Sequence, residues 1–446
     1  MSNTNSRTAL FESVPVHKAF FSLALPSVFG KIVMLLYNLA DTWFIASTGN
    51  TDIVAGVALI SPVFMILIAL GDIFGVGGSS LISRLMGSNQ KKSTKQISAF
   101  CLYGALLLGS IFAIFLLLIK NPFLTLLGTN NATYSHASNY YTYIVLGAPI
   151  ILACNTPMNL LRAEGMAKAS MIGSITGSVV NIILDPIFIF VLNKGAAGAA
   201  IATVIGNTCS LLVYFIFYRK AEWITISPKC VHFNWTDIKL VSAIGIPAAL
   251  NNLMNSFAMT ITNRFLSPYG NDIIAAWSIA GKCTMICTML LVSFSFSSLP
   301  LIGYNYGKEN FTRLKNILKF VYTFELCSAF LCAIILAIFA PNLISVFMED
   351  TSIISAGTQI LRYQVLGIGF SAIILISTCV FQATGDGRAT LIATLSRQGL
   401  IFIPILITMS HLWGYTGILC AQPLTDFLTA TLVVILLLKS LKGKLI

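Results

Sequence analysis

The chain has 446 residues, of which 57% are hydrophobic and only 9% charged, and its mean hydropathy of +0.86 excludes a water-soluble globule. The net charge of +12 raises nucleic-acid binding, but the position of the basic residues argues against it. With the N-terminus inside, Arg7, Lys18, Arg84, Lys91, Lys92, Lys95, Arg162, Lys168, Arg219, Lys220 and others bring the inner segments to 20 of the 27 basic residues, against only Lys120, Lys194 and Arg264 outside.

Apolar blocks of about 20 residues, each long enough for a helix to cross the hydrocarbon layer, follow one another along the chain. They fall near 20 to 46, 53 to 76, 97 to 119, 138 to 160, 169 to 192 and 196 to 218, then near 240 to 266, 273 to 300, 316 to 340, 357 to 381, 389 to 411 and 415 to 438. The expected fold is therefore an all-α integral membrane protein with twelve transmembrane helices. The short alternating segments of a membrane barrel are absent from the pattern. The first block is too long for a signal-peptide core and is kept as a helix.

An internal repeat runs through the sequence. At an offset of 220 residues, Tyr143-Ile-Val-Leu-Gly147 recurs as Tyr363-Gln-Val-Leu-Gly367 and Ala163-Glu-Gly165 as Ala383-Thr-Gly385, and Gly87 matches Gly307. Pro26 pairs with Pro247 and Gly49 with Gly270, while Gly195 and Gly198 pair with Gly414 and Gly417. Six spans per repeat make the two halves parallel, with a substrate route expected between them. The division expected is 1–18 as a cytoplasmic segment, 19–220 as the first lobe, 221–238 as a cytoplasmic linker, 239–440 as the second lobe and 441–446 as a tail.

Ionisable groups within spans are the functional candidates. Asp41 and Asp185 lie about two turns below the outer ends of spans 1 and 5. Asn181 precedes Asp185 by four residues, and Thr203 stands at a similar level in span 6. Two acids, an amide and a hydroxyl at one depth suit a carboxylate that takes up a proton or the oxygen shell of a small hard cation. Pro26 removes one backbone bond from span 1, where the helix can bend. In the second half Lys282, Arg397, Asp426 and Glu325 read as an opposite-charge network, and Lys31 with Asp72 as a pair or as groups facing the cavity.

Ten cysteines, among them Cys101, Cys209, Cys327 and Cys379, lie almost wholly within spans and form no metal-ligand pattern, and Cys283 and Cys287, one turn apart, read as packing residues. The histidines His17, His136, His232 and His411 sit at span ends or in loops, so no enzyme is expected, and no cofactor motif is visible.

With these residues assembled, the chain resembles the multidrug and toxic compound extrusion (MATE) family. The resemblance rests on Leu25-Pro26, Asn38-Leu-Ala-Asp41-Thr-Trp-Phe-Ile45, the loop signatures Arg84-Leu-Met-Gly87 and Tyr304-Asn-Tyr-Gly307, Ala163-Glu-Gly165, Asn181-Ile-Ile-Leu-Asp185-Pro186 and the run from Gly195 to Thr203. It is most similar to the bacterial multidrug branch. It implies a V-shaped bundle of two six-helix repeats that exports organic cations and drugs in exchange for protons or sodium, with Asp41, Asn181, Asp185, the carbonyl of Ala199 and Thr203 as the ion site and a bend at Pro26 accompanying protonation. The acids of a second-lobe cation site are missing here.

The expected substrates are small, amphipathic or cationic, in a cavity lined by spans 1, 2, 7 and 8, where Met34, Tyr37, Met65, Asn255 and Met259 are candidates. The coupling ion is H+ or Na+, and no nucleic acid is expected as a partner. The chain is expected to work as a monomer in a bacterial inner membrane with both termini cytoplasmic. The alternative function is a lipid-linked oligosaccharide flippase, for which Lys31, Lys282 and Arg397 would supply cationic charge.

Overall fold

The computed structural model describes residues 8–347 and 350–442, apart from the side chain of Asn271. Residues 1–7 of the expected N-terminal segment, with Arg7, and 443–446 of the expected tail, with Lys444, lie outside the described residues.

Twelve helical spans account for nearly all of the described residues. The first six are α1 (Val16–Ala46), α2 (Thr51–Gly87), α3 (Lys91–Leu118), α4 (Tyr134–Leu146 continued by Ala148–Ala163), α5 (Ala167–Pro186, ending in a π turn over Ile187–Val191) and α6 (Ala196–Tyr218). The second six are α7 (Trp235–Leu266), α8 (Asn271–Gly307), α9 (Phe311–Ile338), α10 (Thr351–Leu366 continued by Ile368–Thr384), α11 (Gly387–Leu395, a π turn over Ser396–Leu400, then 402–413) and α12 (415–440). Asn50, Asn310, Asp350 and Asp386 cap the N-termini of α2, α9, α10 and α11 by accepting from backbone N–H groups. Asp350 is held below the usual carboxylate range by its bonds to Ser352.

Two spans are longer than hydropathy predicts. α2 and α8 have 37 residues each, a rise of about 55 Å, well beyond the hydrocarbon layer. The added turns of α2 are rich in small residues, and these are what permit close packing. A Cβ on Gly77 would lie 2.3 Å from the Val241 carbonyl oxygen, and one on Gly78 would lie 2.7 Å from the Cys101 sulfur.

The repeat is written into the backbone. Gly195 and Gly414, which start α6 and α12, take the same unusual geometry, φ 51° and ψ −126° against φ 54° and ψ −129°. Gly165 and Gly385 have φ of 82° and 83°, and Asn89 and Glu309 have φ of 59° and 60°. α4 bends by 50° at Gly147, and α10 by 44° at Gly367.

The chain forms two compact units, residues 1–13 with 21–249, and 14–20 with 250–446. The first is built around Ile60, Leu67, Tyr141, Ile144 and Leu152, and the second around Leu291, Ile344, Ile360 and Leu361. Residues 221–238, expected as a linker, are hydrogen-bonded onto the first unit. Ser98 Oγ donates to the Thr225 carbonyl at 3.0 Å, Tyr103 Oη donates to the Ile226 carbonyl at 2.9 Å, and the Glu222 N–H donates to Glu164 Oε1 at 2.7 Å. α1 runs unbroken through Pro26, with Ser27 Oγ bonding back to the Leu23 carbonyl at 2.9 Å.

Candidate functional site

Close packing of α5 on α6 creates the site. A Cβ on Gly206 would come within 2.8 Å of the Gly177 carbonyl oxygen, and one on Gly177 within 1.9 Å of Ser210 Oγ, so only glycines let the two backbones approach this closely. One turn beyond this contact Asn181 meets Thr203, both buried. With its amide turned so that the nitrogen faces the acid, Asn181 donates to Asp185 Oδ2 at 2.8 Å and accepts from Thr203 N at 3.0 Å and Thr203 Oγ1 at 3.3 Å. That orientation is assigned from the hydrogen-bond network.

α1 closes the site. The carboxyl groups of Asp41 and Asp185 lie within hydrogen-bonding reach of each other. Tyr37, one turn before Asp41, brings its side chain near Thr203, and α4 adds Tyr140, an electrostatic neighbour of Tyr37 and both acids. Tyr140 and Ala199 belong to the apolar core of this unit, with Ala199 fully buried, so the cluster sits in dry surroundings.

Asp41 Oδ1 and Asp185 Oδ1 are buried and have no donor, and no basic side chain among the described residues acts on either acid. Two facing carboxylates in a dry setting repel each other strongly unless something positive lies between them. A proton shared by the pair meets that need, and so does a small cation in an all-oxygen shell.

In the second unit the expected four-member network is smaller. Arg397 Nε donates to Asp426 Oδ1 at 3.0 Å and its Nη2 to Ser371 Oγ at 2.7 Å, while Ser371 Oγ donates to Asp426 Oδ2 at 2.8 Å and Gln422 Nε2 to Asp426 Oδ1 at 3.2 Å. Asp426 is thus saturated by its own chain. Glu325 lies apart on α9, bonded to Ser295, and Lys282 makes no ion pair among the described residues. In the first unit Lys31 has Asp72 and Arg162 as electrostatic neighbours.

A family model described as MatE matches the chain twice, over residues 26–187 and 247–408. The two matches are 221 residues apart and begin at Pro26 and Pro247, as the internal repeat requires. The chain belongs to the MatE family. Among similar proteins, the multidrug export protein MepA of Staphylococcus aureus strain MRSA252 is 31% identical over 422 residues, covering 94% of this chain and 93% of MepA. Crystal structures of a MATE protein in straight and bent conformations are each 25% identical, with TM-scores of 0.90 and 0.91 and 98% of both chains covered. The twelve-helix fold is therefore that of MatE transporters, which are multi-pass membrane proteins.

Within this MatE chain four of the residues expected at the ion site, Asp41, Asn181, Asp185 and Thr203, stand together, and Tyr37, expected in the substrate cavity, stands with them, while Ala199 is buried one turn before Thr203 on α6. Met34 is half-buried, Met65 and Met259 are more than half exposed, and Asn255 accepts from Gln398 Nε2 at 2.7 Å. Tyr140 was missed, because in a span rich in tyrosine nothing in the sequence distinguishes the one that faces the acids. All ten cysteines are free thiols, and Cys332 of α9 reaches Cys287 of α8, a neighbour that the spacing of Cys283 and Cys287 did not reveal.

Proposed function

We propose that this MatE protein is an antiporter that exports amphipathic or cationic small molecules in exchange for a proton or sodium ion bound between Asp41 and Asp185. The observation that carries the reading is the pair of facing carboxyls, each with a donorless buried oxygen and no basic neighbour. The kinship to MepA, a multidrug exporter, supports the substrate class. The flippase alternative draws no support from these relatives.

An ion arriving from outside neutralises or bridges the two acids. Asp41 is on α1 and Asp185 on α5, so binding draws the two helices together, and releasing the ion restores repulsion between them. Asn181 holds Asp185 Oδ2 and leaves Oδ1 for the ion, while Thr203, Tyr37 and the Ala199 carbonyl complete an oxygen lining. Pro26 lies four turns before Asp41 and lowers the cost of bending α1 as the ion comes and goes. Coupling follows if the ion-bound state has lower affinity for substrate, and by linkage the substrate then expels the ion. The protein works as a monomer in the inner membrane, with both termini in the cytoplasm.

At the repeat-related positions the second unit has Thr262 for Asp41, Ile405 for Asp185 at about the same offset, and Gln422 for Thr203. No second carboxylate pair arises there, which supports placing the facing-acid site in the first unit.

The test is ethidium efflux from proteoliposomes under an imposed proton or sodium gradient. Wild type is expected to respond to one of the two, and Asp41→Asn and Asp185→Asn each to lose that response by roughly 5- to 150-fold, the usual span of coupling energies. Efflux that continues undiminished in both variants would place the ion elsewhere.

A further inference from the structure

Glu325 is a buried acid that the first-unit site does not use. Its side chain is fully buried on α9. Ser295 Oγ of α8 donates to Oε1 at 2.5 Å, and Oε2 has no partner. The surroundings are polar but neutral. Ser298 Oγ bonds to the Ser295 carbonyl at 2.6 Å, Cys379 Sγ of α10 to the same carbonyl at 3.0 Å, and Tyr322 Oη shares a 2.7 Å hydrogen bond with Ser377 Oγ.

Among the described residues no cation offsets this carboxyl. The titratable groups facing it are Tyr322, one turn earlier on α9, and Cys379 on α10. α8 presents the hydroxyls of Ser295 and Ser298, and Phe20 of α1 packs its ring on Phe320, Phe324 and Phe294. The contrast with Asp426 in the same unit is direct. Asp426 has Arg397, Gln422 and Ser371, whereas Glu325 has one serine and a bare oxygen. A carboxyl buried without a counter-charge needs a proton or a cation to offset it, and the unpartnered Oε2 is where a proton can be held.

We infer that Glu325 is a second proton-binding site, in which Oε2 takes up and releases one proton per transport cycle while the hydroxyls of Ser295, Ser298, Ser377 and Tyr322 line it. No other atom is exchanged, and the proton comes from and returns to water. This rests on the export reading above and gives the second unit a proton site of its own.

The test is infrared spectroscopy of the full chain in lipid as pH is raised, wild type beside Glu325→Gln. The expected result is a protonated-carboxyl carbonyl band that Glu325→Gln lacks and that fades reversibly in wild type. Ser295→Ala keeps the acid but removes its hydrogen bond, and is expected to move the same band to higher frequency. A band that persists at every pH where the chain stays folded overturns the proposal and makes Glu325 a fixed structural acid, and so does a titration identical in wild type and Glu325→Gln. Should Glu325→Gln fail to fold, Ser295→Ala decides alone, and an unshifted band overturns the assignment. In proteoliposomes Glu325→Gln is expected to couple about one proton fewer to each ethidium. Wild type that shows no efflux under either gradient sinks the export reading but leaves the infrared titration standing, so the two fail separately.

Discussion

Asn181 does two things at once, and its neighbours depend on both. Its nitrogen holds Asp185 Oδ2, and its oxygen satisfies the Thr203 N–H and hydroxyl. Asn181→Ala is therefore expected to leave buried polar groups unpaired, at a cost of about 1–3 kcal/mol visible as a lower melting temperature. Asn181→Asp adds a third acid to the same spot and should melt lower still, and equal melting of all three proteins would show that the amide carries no such role. Depth in the membrane made Asp41, Asn181, Asp185 and Thr203 legible in the sequence, because polar residues two turns inside a span are rare and counting turns fixes their level. Tyr37 and Tyr140 were not legible as members, since tyrosine is common in spans and which way it faces depends on helix rotation. The bonding of Glu325 was hidden for the same reason, as charge alone grouped it with Arg397 and Asp426.

Among the elements, α11 and α12 show how much one residue can direct. They are parted by Gly414, whose φ of 54° and ψ of −129° admit no ordinary side chain without strain. Gly414→Ala is expected to destabilise the chain by about 1–2 kcal/mol, and Gly195→Ala by a like amount because its geometry matches. The room around the two differs little, with a Cβ 3.2 Å from Tyr269 Oη at Gly414 and 3.3 Å from Ile53 Cδ1 at Gly195. A melting curve unchanged in both variants would mean that the local backbone relaxes at no cost. The spans themselves were legible from hydropathy, and the glycine pairs from the repeat. The extra turns of α2 and α8 were not, because Gly77, Gly78, Ser79 and Ser80 are neither apolar nor helix-favouring, and it is packing against Val241 and Cys101 that keeps them helical. The π turns at Ile187–Val191 and Ser396–Leu400 were also unforeseen. The first follows Pro186, which has no N–H to give to the preceding turn, whereas the second contains no proline.

At the scale of the whole molecule, the two repeats keep one backbone plan while their polar chemistry has diverged. The first unit collects acids that lack a counter-charge, and the second covers Asp426 with Arg397 and leaves Glu325 apart. An exporter built this way works in one direction only if its orientation is fixed, and the basic residues provide the means. Ser88 lies between α2 and α3, flanked by Arg84, Lys91, Lys92 and Lys95, whereas Thr129, between α3 and α4, has only Lys120 near it in sequence. Cationic loops resist transfer across the membrane, so the Ser88 side should stay inside and the Thr129 side should lie outside. In a cysteine-free background, Thr129→Cys is expected to react with a membrane-impermeant maleimide on intact cells, and Ser88→Cys only after the membrane is opened. The reverse pattern would put Asp41 and Asp185 nearer the cytoplasmic face, so that the ion driving export would have to arrive from inside, and an exchange driven by an inward ion gradient would no longer fit this site.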